Sequence, residues 1–245
     1  MPGSGEVMEC NGKVLYAFGD SIIEGHTYPQ RSCANVVAEA EGMRLFKFAR
    51  NGAAILPRPM TRPDLGGQII DQCGKVPADT PAPDVILFDG GTNDSHLDRI
   101  MDRLGAVVRP GASLFDRSTF AGCFEATIAE YRRRWASAKI VYVATSKLAN
   151  VDMTIQLALH EIALEACRKW GVTVANVFDD AGLDPRRDAD RVAYSFDRNG
   201  TDGLPGTPQT ITYEHPESQP SGTHPNLIAV ERFYAPIIRR ALRSL

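Results

Sequence analysis

The chain has 245 residues, 43% of them hydrophobic and 23% charged, with a formal net charge of −3. A chain of this length buries about 70% or more of its unfolded surface without covalent staples. No apolar run approaches the roughly 18 residues of a membrane span, and Lys and Arg form no stripe of the kind that follows a phosphate backbone. Membrane insertion and nucleic-acid partners are therefore set aside, and "RRR" at 132–134 reads as one solvated helix turn.

The N-terminal "MPGSGEVMEC" has no basic segment followed by an apolar core, so the cytoplasm is the expected compartment. Cys10, Cys33, Cys73, Cys123 and Cys167 are odd in number, widely spaced and without a C-x-x-C pair, the pattern of reduced, buried thiols. Strand candidates come first: "KVLYAF" (13–18), "RLFKFA" (44–49) and "DVILFD" (84–89) are short runs rich in Val, Ile, Leu, Phe and Tyr. The stretch 118–136 then places Phe120, Phe124, Ile128, Tyr131 and Trp135 three and four apart, one apolar helix stripe that reads as core. "KIVYVAT" (139–145) is a fourth strand, 152–170 a second long helix with Ile155, Leu159, Ile162, Ala166 and Trp170 on one face, and "VTVANVF" (172–178) a fifth strand. Residues 179–222 are rich in Asp, Gly and Pro and offer only "RVAYSF" and "QTITYE" as short strands. They are expected to form an irregular insertion over one end of the sheet. A final helix runs from about Pro225 to Arg243.

Strand and helix alternating in this way predict an α/β sandwich of the doubly wound type, with a five-stranded parallel sheet between helices, formed by a single domain over 1–245. Ligands of such sheets bind beyond the carboxyl ends of the strands.

Three of those ends carry polar residues. "FGDSIIEG" places Ser21 where the first strand turns into a helix, "ARNGAAI" places Gly52 after the second, and "DGGTNDSH" places Asn93 after the third. Each tripeptide alone is ordinary turn chemistry. Jointly they deliver a hydroxyl, a glycine N–H and a side-chain amide to one edge, the parts of a nucleophile with an oxyanion hole. His224, just ahead of the last helix, is placed to return to that edge as a base. A flavodoxin-like phosphate loop would need Ser, Thr and Gly in succession after the strand, where Ile22-Ile23 stand instead. A haloacid-dehalogenase nucleophile would resemble Asp-x-Asp-x-Thr, whereas Asp20 is followed by Ser-Ile-Ile. The remaining histidines, His26, His96, His160 and His215, lack the i,i+4 pairing of a metal site. His26 and His96 are candidate pocket and substrate contacts.

In order and spacing, "GDSI" with Ser21, "NGA" with Gly52, "GTND" with Asn93 and "THPN" with His224 resemble the four sequence blocks of the SGNH (GDSL-type) hydrolases, over about residues 13–240. The resemblance implies a flavodoxin-like α/β/α fold and a serine ester hydrolase needing no metal or organic cofactor. Ser21 would be the nucleophile and His224 the general base, with an oxyanion hole of the Ser21 and Gly52 N–H groups and the Asn93 amide. Asp20 and Asp94 read as turn anchors. The expected substrate is a short-chain, acetyl-type ester of a carbohydrate or small alcohol.

One position departs from the family pattern, which has an aspartate three residues before the histidine, where this chain has Ser221. Ser221 or a backbone carbonyl would orient His224 as part of a dyad, or a carboxylate would arrive from Asp202, Glu214 or Glu217. The third account is a scaffold that has lost catalysis and binds carbohydrate or another ligand without turning it over.

Overall fold

The computed structural model describes residues 9–25, 31–58, 66–197 and 220–245. The five apolar runs form strands β1 (Val14–Phe18), β2 (Arg44–Lys47), β3 (Val85–Phe88), β4 (Lys139–Ala144) and β5 (Thr173–Asn176). They make one parallel sheet in the order β2-β1-β3-β4-β5. The register sets Phe18 beside Phe88 and Phe88 beside Tyr142, so the strand ends rise to a common edge.

Alternation along the strands divides the core in two. Leu15, Ala17, Val85, Leu87, Val141 and Val143 face one side, where α2 (Cys33–Ala40) and the C-terminal helix pack. Tyr16, Phe18, Ile86, Phe88, Ile140 and Tyr142 face the other, under α3 (Phe120–Arg134) and α4 (Met153–Trp170). Burial on both faces explains why these runs are apolar throughout rather than alternating. The aromatic stripe of α3 is core, as expected. Phe18 stacks on Tyr131 at 5.0 Å and on Trp135 at 5.7 Å between centroids. All five cysteines are buried, and none forms a disulfide with another described residue.

Helix ends follow their caps. Thr119 accepts from Gly122 N at 3.2 Å to open α3, and Asp152 accepts from Thr154 N at 2.7 Å to open α4. Arg133 and Arg134 both pair with Glu130, so the basic run is a salt-bridged helix turn. The last helix begins after Asn226 rather than at Pro225, because the Asn226 side chain caps it by accepting from Ala229 N at 3.0 Å. It then widens into a π turn over Val230–Tyr234 before continuing regularly over Ala235–Arg243.

Of the segment 179–222, residues 181–187 are turns and bends, short regular elements flank them, and 198–219 lie outside the described residues. The four-residue helix α5 (Val177–Asp180) follows β5 directly, α6 spans Asp188–Tyr194, and β6 (Ser195–Asp197) pairs antiparallel with β7 (Pro220–Pro225). "RVAYSF" is therefore mostly helix. Ion pairs three residues apart, Arg187 with Asp190 and Arg191 with Asp188, favour the helical spacing over a strand. The other expected strand, 209–214, lies outside the described residues. Among the described residues no helix is long and apolar enough to cross a membrane.

Candidate active site

The chain leaves β1 through Gly19, whose φ of 143° and lack of a side chain are both required: a Cβ there would stand 1.8 Å from Asp89 Oδ1. Gln72, wholly buried in the 3₁₀ turn Ile69–Lys75, grips Gly19 at both backbone groups, accepting from its N–H at 2.8 Å and donating to its carbonyl at 2.7 Å. Asp20 then caps the one-turn helix α1 (Ser21–Glu24), its Oδ1 accepting from Ile22 N at 2.9 Å. Ser21 is the first helical residue, so no carbonyl one turn back lies ahead of its N–H.

His224 arrives on β7. Its Nε2 lies 2.8 Å from Ser21 Oγ, a contact between residues 203 apart in sequence. The turn carrying the imidazole is fixed from several sides. Ser221 Oγ accepts from Thr223 N at 3.2 Å and His224 N at 3.3 Å, Gly222 O accepts from Ala149 N at 3.1 Å, and Asn150 Nδ2 donates to Ser221 O at 3.1 Å. Asn226 closes it by donating from Nδ2 to Ala193 O at 3.0 Å and from its N–H to Tyr194 O at 3.0 Å.

The loops after β2 and β3 are tied to each other and to the Ser21 turn. The Asp94 carboxylate also reaches across to the loop after β2, accepting from Ile55 N at 3.0 Å and Leu56 N at 2.8 Å. Asn93 Nδ2 donates to Ala53 O at 2.8 Å and, more weakly, to Asp20 Oδ2 at 3.3 Å. Asn51 N donates to the Glu24 carboxylate. Gly52 therefore lies in a loop held on one side by α1 and on the other by Asn93.

Burial dominates the electrostatics. It raises Asp20 to about 6, against the Ile22 N–H and neighbouring side-chain donors that favour the ionised form. It also raises Asp94, opposed by the Leu56 and Ile55 N–H groups and the Arg58 charge. Asp89 is pushed well above the usual carboxylate range, first by burial and then by the Asp20 charge.

His96 is exposed beside Asn93, and His26, Asp202, Glu214, His215 and Glu217 lie outside the described residues. His160 is buried, 3.0 Å from Asp179 Oδ2 and stacked on Phe178 at 4.3 Å. It lines a cavity of about 40 Å³ with Gly91, Thr92, Tyr142, Thr145 and Phe178 at the carboxyl ends of β3 and β4. Sequence reasoning missed Gln72, Asp89 and Arg58, the last of which donates from Nη2 to Asn93 O at 3.2 Å. For Asp89 a signal existed: a carboxylate closing an otherwise apolar strand must be buried with it.

The model of the GDSL-like lipase/acylhydrolase family matches residues 17–227. The chain belongs to that family, and is a hydrolase of the SGNH/GDSL esterase and lipase type. No curated protein sequence matches it. Among solved structures it is similar to a protein of Lactobacillus plantarum, at 17% identity and a TM-score of 0.64, with 96% of each chain covered. It is also similar to phospholipase A1 of Streptomyces albidoflavus, at 14% identity and a TM-score of 0.59, covering 94% of this chain and 99% of that one. A third similar structure is TesA, at 14% identity and a TM-score of 0.56, with coverages of 95% and 100%.

Proposed function

We propose that the protein hydrolyses short-chain carboxylic esters, of the acetyl type on a carbohydrate or small alcohol, through an acyl-enzyme on Ser21. The observation that carries this reading is the 2.8 Å approach of His224 Nε2 to Ser21 Oγ at the carboxyl edge of the sheet. As His224 Nε2 takes the hydroxyl proton, Ser21 Oγ attacks the ester carbonyl carbon. The negative charge forming on the carbonyl oxygen is met by the Ser21 and Gly52 N–H groups and by the Asn93 amide, which gives up its long 3.3 Å contact with Asp20 to do so. Collapse of the tetrahedral species breaks the bond to the alkoxy oxygen, which leaves with the proton from His224. Water, deprotonated by the same imidazole, then releases the acid and restores Ser21.

Ser221 orients the base in this reading through the backbone, by holding the Thr223 and His224 N–H groups. A Ser–His pair suits activated esters, since about 10³–10⁴-fold catalysis over water survives loss of a triad member in serine proteases. The preference for short acyl groups rests on the sequence, which offers no evident apolar stretch of the kind that would bind a lipid chain.

The test pairs a fluorophosphonate probe with p-nitrophenyl acetate, butyrate and octanoate. Label on Ser21 and turnover falling with chain length are expected. A folded protein that takes no label and turns over no ester overturns the reading.

A further inference from the structure

Asp20, Asp89 and Asp94 are all wholly buried at the edge that carries Ser21. Two of them have evident partners: Asp94 has the Ile55 and Leu56 N–H groups, and Asp20 has Ile22 N and Asn93 Nδ2. Asp89 differs. Its Oδ1 accepts from Asp20 N at 2.9 Å, but among the described residues no donor reaches its buried Oδ2. A buried carboxylate oxygen with no donor is costly, and two adjacent carboxylates add repulsion. Asp89 Oδ1 lies 2.9 Å from Asp20 N, which sets the two buried side chains next to each other, and a proton shared between them would leave one charge in place of two.

Resting on the reading of Ser21 as nucleophile and Asn93 as oxyanion donor, we propose that Asp89 is a positioning residue working as a neutral acid. It donates its carboxyl proton to the Asp20 carboxylate, so that the Ser21 turn and the Asn93 amide are held by one shared negative charge rather than two. Gly19 makes the contact possible, since any side chain there would displace Asp89 Oδ1. The pair titrates as a unit. The groups facing it are Asp94 after β3, Cys33 on α2, Tyr131 on α3, Tyr142 on β4 and Tyr234 in the C-terminal helix. Burial raises every one of them, so these neighbours are neutral or acidic and favour keeping the proton. Removing it would set a second charge beneath the developing oxyanion, while tightening the hold of Asp20 on Asn93.

The experiment compares wild type with Asp89→Asn and Asp89→Leu. Asparagine supplies an N–H for Asp20 and an oxygen for its N–H but cannot ionise; leucine supplies neither. Infrared spectra at neutral pH are expected to show a protonated carboxylic-acid carbonyl stretch in wild type that Asp89→Asn lacks. Wild-type kcat should fall at least about tenfold on the alkaline side as that band disappears. Asp89→Asn should turn over severalfold more slowly at neutral pH yet lose the alkaline limb, and Asp89→Leu should be about tenfold slower still. If the acid band is unchanged by Asp89→Asn, or the alkaline limb persists in it, the proposal is overturned. Should the variants not fold, wild type alone decides: band and kcat must share one midpoint, and a band absent at neutral pH refutes the proposal. Fluorophosphonate labelling separates the two levels of the argument. Unlabelled Ser21 strikes the hydrolase reading, whereas labelled Ser21 with no Asp89 acid band strikes only this one.

Discussion

On the proposed mechanism, turnover depends directly on the contact between Ser21 and His224. Replacing either with alanine is expected to lower kcat by about 10⁴-fold or more with the melting temperature little changed, a result read from steady-state kinetics beside a thermal scan. Ser221 offers a finer test. An aspartate there can accept from the Thr223 and His224 N–H groups as the serine hydroxyl does, so Ser221→Asp should keep the turn and hold or raise kcat. A sharp fall in a folded variant would contradict the orienting role assigned to the serine. Ser21, Gly52, Asn93 and His224 were legible because each sits in a short local motif at a strand or helix end. Gln72 was not, since its meaning lies in its contacts with Gly19, 53 residues away, and for Asp89 only burial was legible, not its contact with Asp20, 69 residues away.

At the level of elements, the site is three loops and one short strand bound to each other by buried side chains. Asp94 joins the loops after β2 and β3, so Asp94→Ala leaves the Ile55 and Leu56 N–H groups without their acceptor and should cost about 2–5 kcal/mol in denaturant unfolding. Gly222 anchors β7 by close approach. Its φ is 64°, and a Cβ would stand 2.3 Å from the Ala149 side chain. Gly222→Ala is expected to shift His224 relative to Ser21 and lower kcat by about 100-fold, while the sheet, probed by circular dichroism, stays intact. The central strands β1, β3 and β4 could be read from sequence because burial on both faces gives continuous apolar runs, and the half-buried edge strands β2 and β5 from their aromatic and β-branched residues. β7 could not: Pro220–Pro225 is polar, and its strand character comes from its pairing with β6. The helix α2 escaped notice because eight residues give only two turns of periodicity.

For the molecule as a whole, the buried carboxyl groups set the pH dependence of stability. Asp20, Asp89 and Asp94 all titrate higher in the folded state than their ordinary 3.8, so between those limits the native state binds more protons than the unfolded chain. Their contribution is complete below about pH 4. It declines as pH rises through 6, where Asp20 titrates, and further as Asp89 ionises. Urea unfolding from about pH 5 to about pH 9 should therefore show a falling midpoint, and Asp89→Asn should flatten the upper part of that fall. The general architecture was legible because alternating strands and helices admit few layered packings. The ordered helix and hairpin that frame His224 were hidden by the turn-rich composition of the segment around them.

The 203 residues between Ser21 and His224 have a consequence for when the protein acquires its chemistry. During synthesis, β1 must wait for β3 to complete its pairing, and Ser21 must wait for the 203 residues that separate it from His224 before that imidazole can reach it. Every nascent intermediate is then inert toward esters even after its core has begun to collapse. Hydrolysis then reports the arrival of β7 at the Ser21 turn, and in refolding from urea its recovery should lag the return of buried aromatic fluorescence.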